Sequence, residues 1–171
     1  MILPRERDPR FITIRRGGKL TDSDHHLLAL WAAACAEHVL PLFEQVNPDD
    51  KRPRRAIELT RAWVNGEITM KQAHQTAFSA NAAAKGMPDF ARFAALAAGQ
   101  AVAVAHVAAH QLGAAAYAIR AIKDSVTDPE KEKAGQMECQ WQRSQLPEAI
   151  RELVLEDQQL RNHLCWNIFY C

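Results

Sequence analysis

The chain has 171 residues, enough for one core of ordinary size, and its 48% hydrophobic and 24% charged residues are the balance of a folded soluble domain. Twenty-one Lys and Arg stand against 20 Asp and Glu, a formal net charge of +1, which argues against a strongly basic nucleic-acid binder and against an acidic DNA mimic. Thirty residues are alanine against seven glycines, a composition that points to an all-helical domain.

Residues 1–20 carry six basic and two acidic groups, with no apolar run behind the first charges of the kind a signal peptide needs, so a cytoplasmic location is expected. Phe11-Ile12-Thr13-Ile14 alternates as a short strand does, and Arg16-Gly17-Gly18-Lys19 supplies a turn. A lone strand cannot pair with itself, so residues 1–20 are read as an extended basic arm lying on a single helical domain of residues 21–171.

The first helix opens at Thr21-Asp22-Ser23-Asp24, a cluster of N-cap formers with acids at the positive end of the dipole. Leu27, Trp31, Ala34, Cys35, His38 and Leu42 recur every three or four residues and predict its buried face. Pro41 predicts a kink or stop at residues 38–41. The linker Asn47-Pro48-Asp49-Asp50 leads to a second helix with Pro53 in its first turn, an inner face of Ala56, Ile57, Thr60, Trp63 and Val64, and an end at Gly66. Thr69 with Gln72 forms a capping box, opening a third helix with the stripe Met70, Ala73, Ala77, Ala80 and Ala84, closed by Gly86.

Residues 93–119 contain no Asp, Glu, Lys or Arg, a run longer than the ~20 residues that span a bilayer. Thirteen of them are alanine, and Gln100, His106, His110 and Gln111 interrupt the run, so it reads as helix surrounded by protein, with no membrane partner. Ala95, Gly99 and Ala103, four apart, let another helix approach closely. One rod over residues 89–123 would be about 50 Å long, too long for a domain of this size, which predicts a break near Gly99 or Gly113. Asp128-Pro129 and Leu146-Pro147 restart the chain twice more. The last stretch shows Ile150, Leu153, Val154, Leu160 and Leu164 at helical spacing. The sum is a compact bundle of six or seven helices with Ala/Gly-mediated packing. The tail Cys165-Trp166-Asn167-Ile168-Phe169-Tyr170-Cys171 is too apolar to stand in water and is expected to dock on the bundle or on a second copy in a homodimer. Cys35, Cys139, Cys165 and Cys171 lack any Cys-x-x-Cys spacing and read as reduced thiols.

His106 and His110 are the sharpest chemical feature, two imidazoles four apart as on one helix face. A zincin would need a glutamate after the first histidine, and Val107 stands there. A metal would draw further ligands from Glu37, His38, Cys35 or His74; otherwise these are core histidines hydrogen-bonded to neighbouring helices, and no cofactor is expected. The metal alternative is therefore His106, His110, His38 and Glu37. Cys35 and His38, one turn apart, suit a nucleophile–base pair only if the thiol is accessible, and its apolar stripe reads as buried. His25 and His26 read as solvated or packing residues. The basic run Lys51-Arg52-Pro53-Arg54-Arg55 opens a helix that could meet an acidic partner, or is solvated with Arg54 paired to Glu58 at i, i+4. No phosphate loop, serine elbow or paired-carboxylate motif is present in the sequence.

Several stretches taken together carry a resemblance. They are Leu27-Leu28-Ala29-Leu30-Trp31-Ala32-Ala33 running on through Cys35-Ala36-Glu37-His38-Val39-Leu40-Pro41, Arg52-Pro53-Arg54 with Ala56-Ile57-Glu58, Arg61-Ala62-Trp63-Val64 before Gly66-Glu67-Ile68, Ala105-His106-Val107 with His110 and Leu112-Gly113-Ala114, and Gln145-Leu146-Pro147 with Ile150-Arg151-Glu152. Over residues 11–170 the chain resembles the immunity-five-like putative immunity proteins of bacterial toxin–immunity systems. The resemblance implies an all-helical cytoplasmic protein that is not an enzyme and binds and neutralises a cognate toxin. Where that family often has an acidic residue between the two histidines this chain has Ala109, a departure that speaks against a metal or proton-relay role. The partner surface is expected at Arg52, Arg54, Arg55, Glu58 and Arg61, or in residues 128–163, where eight acids face five bases.

Overall fold

In the computed structural model, which describes residues 2–171, alanine sets the architecture by letting backbones approach one another. Seven α-helices are formed among the described residues: α1 Asp22–Glu44, α2 Arg52–Val64, α3 Met70–Ala83, α4 Asp89–Ala103, α5 Gln111–Asp124, α6 Lys131–Ser144 and α7 Glu148–Arg161. The fold is all-α, as the periodicity predicts. α4 lies at the centre, packed against α1, α2, α3 and α5, while α5 also carries α1 and α6. A helix surrounded on all sides is apolar all round, and α4 accordingly buries ten of its fifteen residues, from Ala91 to Ala103.

The local signals act as predicted at most helix starts. Thr21 accepts the Asp24 amide at 3.0 Å, and Thr69 and Gln72 close a reciprocal capping box at the head of α3. On α2, Ala56, Ile57 and Thr60 are buried, and the α3 stripe Ala73, Ala77 and Ala80 faces the core. The small-residue stripe of α4 admits α3 closely. A Cβ built on Gly99 would stand 2.2 Å from Asn81 Oδ1, and one built on Gly113 would stand 2.3 Å from Gln100 Oε1.

Five expectations are corrected. Pro41 neither stops nor ends α1, which runs on to Glu44: the proline is exposed, and the carbonyl it leaves without a donor, that of Glu37, also lies on the exposed side. The buried face of α1 is centred on Leu28, Trp31, Cys35, Val39 and Phe43, with His38 exposed. The break in the long neutral stretch falls at residues 104–110, at neither Gly99 nor Gly113, because both glycines are sites of close helix contact. Residues 93–119 are therefore parts of two helices of 15 and 14 residues, each too short to cross a bilayer. One helix, α1, is long and apolar enough to do so by length and composition alone, and it is mostly packed inside the bundle.

The arm is not an extended strand. It folds into two short 3-10 turns, Pro9–Phe11 and Ile14–Arg16, with a single bridge between Thr13 and Leu20, so the chain pairs with itself across the glycine turn. Phe11 and Leu20 are buried, and Arg10 joins Asp8 at 2.7 Å and reaches Glu156 of α7. At the other end, Trp166 and Asn167 take left-handed backbone conformations, and Asn162 Oδ1 accepts the Phe169 amide at 2.9 Å. The tail then crosses α5, placing Trp166 over the Arg120 guanidinium at 4.2 Å and burying Ile168 and Phe169. The reading of four reduced thiols is also corrected, since this return path joins Cys171 to Cys139 of α6 in a disulfide; Cys35 and Cys165 are free and buried.

Candidate functional site

Buried polarity gathers at the break between α4 and α5. After Ala103 the amides of residues 104–106 bond three residues back, and Val107 is extended, at φ −138° and ψ 109°. The carbonyls released there need donors from elsewhere. The His25 Nε2–H, from the first turn of α1, donates to the Val104 carbonyl at 2.7 Å. Arg161, at the end of α7, donates to the Ala109 carbonyl at 3.0 Å and to that of Ile2 at 3.2 Å. Its guanidinium is held by Asp157 one turn earlier, through Nε at 2.6 Å and through a second nitrogen, while Gln111 Nε2 donates to the same carboxylate at 2.7 Å. Burial pushes the Asp157 carboxyl up from its ordinary value and the guanidinium draws it back.

The histidines do not form the predicted helix face, because residues 104–107 leave the helix. His106 stacks on His74 of α3, with ring centroids 4.2 Å apart, and its Nδ1 is buried with no partner among the described residues. His110, the residue immediately before α5, donates from Nδ1 to Gln100 Oε1 at 2.8 Å; burial holds its pKa down at about 4. Burial likewise lowers His106 and His25. His38 is far away along α1, donating to Glu138 at 2.8 Å and stacked on Trp141 at 3.6 Å. Glu37 accepts two bonds from Arg61, at 2.9 and 2.7 Å. The alternative ligand set His106, His110, His38 and Glu37 is therefore not brought together, and no group of three His, Cys, Asp or Glu side chains among the described residues is placed to hold a metal. Cys35 is fully buried, and that burial pushes its thiol well up, the opposite of what a nucleophile needs.

Two clefts open where the arm crosses this break. The first, about 330 Å³, is lined by Arg7, Arg15, Arg16, His25 and His106, with Phe11, Trp63 and Met70 among its apolar walls. The second, about 650 Å³, lies on the other side of Arg7, Phe11 and Val107 and reaches Leu160 and Arg161. The two share those three residues, so they form one continuous face of the molecule.

The predicted partner residues on α2 lie at the surface, Arg61 half-buried and the others exposed, and all are engaged. Arg52 pairs with Asp50 at 2.6 Å, Arg54 with Glu44 at 2.6 Å, Arg61 with Glu37 at 2.7 Å, and Arg55 with Glu58 at 3.3 Å. The expected Arg54–Glu58 pair is thus replaced, since α1 offers Arg54 a bidentate carboxylate. These guanidinium groups hold Asp50, Glu44 and Glu37 below the usual carboxylate range.

The sequence reading missed His25 as a buried donor, the Asp157–Arg161–Gln111 cluster, and the polar core of Glu138 and Gln142. Gln142 Nε2 donates to Glu138 at 2.9 Å and to the Ala115 carbonyl at 3.1 Å, while Trp31 Nε1 donates to the Gln142 carbonyl at 2.8 Å. Asp157 and Arg161 do show i, i+4 spacing in the sequence, but nothing local distinguishes that pair from a solvated one.

Comparison with known proteins gives one match. Residues 18–149 match the family described as Imm-5 like putative immunity protein, a span of 132 residues, shorter at both ends than the 11–170 expected from the motifs. No curated protein and no solved structure matches the chain.

Proposed function

The chain belongs to the Imm-5 like putative immunity protein family, and from that premise we propose that it is a non-catalytic inhibitor that binds and neutralises a cognate bacterial toxin in the cytoplasm of the cell that makes it. The family match, running from before α1 into the start of α7, is the observation that carries this reading. The geometry is consistent with it. A helical body with a tightly packed core keeps its backbone fixed on docking and loses little backbone entropy, so its surface is suited to stoichiometric inhibition.

Co-expression with the toxin domain encoded beside the gene tests it directly. The expected results are survival of cells that otherwise die and co-purification of a one-to-one complex. Death at the same rate with and without this chain, and no complex at micromolar concentrations, would refute the reading.

A further inference from the structure

The molecule carries two basic surfaces, and they differ in one physical respect. On α2, Arg52, Arg54, Arg55 and Arg61 each have a carboxylate partner. On the arm, only Arg10 and Arg15 form ion pairs among the described residues, and the exposed Arg5, Arg7, Arg16 and Lys19 form none. Arg7 and Arg16 line the 330 Å³ cleft together with Arg15, and no Asp or Glu side chain among the described residues lines it. His106 presents there a buried ring nitrogen without a partner among those residues. Ile14, next to Arg15 in the chain, is 61% exposed, and so is Leu160 in the second cleft, whose lining, unlike that of the first, includes the acids Glu6, Asp8 and Asp157.

We propose that this face, centred on Arg7, Arg16 and Trp63 and flanked by Ile14 and Leu160, is the toxin-docking surface, and that it takes an acidic segment of the partner protein. The inference rests on the immunity reading above and names the partner's chemistry. An anion is favoured because two of the cleft's three arginines, Arg7 and Arg16, have no carboxylate partner among the described residues, Arg15 being paired with Asp22, whereas the arginines of α2 are already neutralised from within the chain. A protein segment is favoured over a free anion because apolar side chains stand exposed on either side of the charge, and buried Arg and Trp groups are what protein interfaces use as anchors. The cleft also joins two parts of the sequence. His25, Trp63, Met70 and residues 105–108 lie within the family match, while Arg7, Arg15 and Arg16 lie outside it. A shared scaffold carrying its own cations is what recognition of one particular partner requires.

The test uses the full chain and the toxin domain encoded beside its gene. R7E/R16E is expected to weaken binding about 100-fold and to abolish protection, R7Q/R16Q about tenfold, and R54Q/R55Q less than about threefold. Arg7 and Arg16 are exposed and form no ion pair among the described residues, and Arg54 and Arg55 lose only surface ion pairs, so the melting temperatures of all three variants should stay within a few degrees of the parent. As a measurement that needs no variant, the association rate of the parent chain should fall about tenfold between low and high salt. Unchanged toxin binding by R7E/R16E, an equal loss in R54Q/R55Q, or a salt-independent association rate would overturn the docking surface and leave the immunity reading standing. A parent chain that never binds the toxin would refute the immunity reading instead. Binding of a DNA duplex at physiological salt, lost in R7E/R16E while toxin binding persists, would assign the face to nucleic acid and overturn the proposal.

Discussion

Replacing glycine by alanine at position 99 and at position 113 is the same chemical change in two central helices, and the structure gives it opposite signs. In a helix interior the substitution gains about 1 kcal/mol from propensity. At Gly99 the new methyl meets Asn81 Oδ1 at 2.2 Å, but Asn81 is exposed and can turn into solvent, leaving only the Ala77 carbonyl at a tolerable 3.4 Å. A rotamer change costs about 0.5–1 kcal/mol, so Gly99→Ala should lie between neutral and about 0.5 kcal/mol stabilising. At Gly113 the methyl meets Gln100 at Oε1, Cδ and Cγ, at 2.3, 3.0 and 3.2 Å. Gln100 is half-buried and its Oε1 accepts from His110, so moving it strands a buried donor. That loss costs about 1–3 kcal/mol on top of the displacement, which exceeds the propensity gain. Gly113→Ala should therefore destabilise by about 1–2 kcal/mol. Urea denaturation read by far-ultraviolet circular dichroism measures both, with m unchanged. Two midpoints shifted in the same direction would refute the close packing of α3 on α4 and of Gln100 on α5 from which the two signs follow.

Acid should destabilise the fold through its neutral histidines. His110 has a folded pKa of about 4 against 6.5 unfolded, so the unfolded chain binds its proton first and stability falls as pH drops between those values. The full effect is about 3 kcal/mol, with His25 and His106 adding in the same direction, and His110→Gln should flatten the slope of unfolding free energy against pH in that window. A slope unaltered by the substitution would remove His110 from the explanation. Asp157 and Glu138 work the other way: burial raises their folded values, so they favour folding at low pH and lose that contribution as pH rises. Arg161→Met should cost about 3–5 kcal/mol by leaving Asp157 buried with Gln111 alone, and adding Asp157→Leu should recover part of it; a melting temperature within a degree of the parent would show that the pair is not buried as described. Opening the Cys139–Cys171 bridge, which closes 32 residues of sequence separation, should cost about 3–4 kcal/mol, seen as a lower melting temperature in reductant and for Cys171→Ser, with no reductant effect on the variant.

The elements most legible in the sequence are those whose causes are local. The capping box of Thr69 and Gln72, the N-cap Thr21 and the alanine stripe of α3 each depend on residues within a few positions, and each forms as its spacing predicts. The break after Ala103 has no such cause. No proline or glycine lies in residues 104–110, and the turn is held by His25 from 79 positions away and by Arg161 from 52 positions away. The spacing of His106 and His110 therefore does not become a shared helix face, since the imidazoles are four apart in a segment that leaves the helix. Phe11 and Ile14 show the same effect on a smaller scale, where strand-like alternation reflects one buried ring and one exposed aliphatic on two turns.

Charge is the property on which sequence and structure differ most. Summed over the chain it is +1, a value that excludes strong polyelectrolyte behaviour but says nothing about where cations remain available. The basic run at the head of α2 is the denser one in sequence, yet Glu37 and Glu44 project from α1 across the helix interface and occupy Arg61 and Arg54. The arm carries six basic residues against two acids, and since Asp8 is committed to Arg10, Glu6 alone is left to offset the unpaired Arg5, Arg7, Arg16 and Lys19, so a net positive charge remains there. Availability of charge is thus set by which helices become neighbours. A partner approaching through solvent meets the unpaired guanidinium groups at full strength and the paired ones only as dipoles, so attraction over a Debye length comes from the arm even though α2 carries the more conspicuous motif.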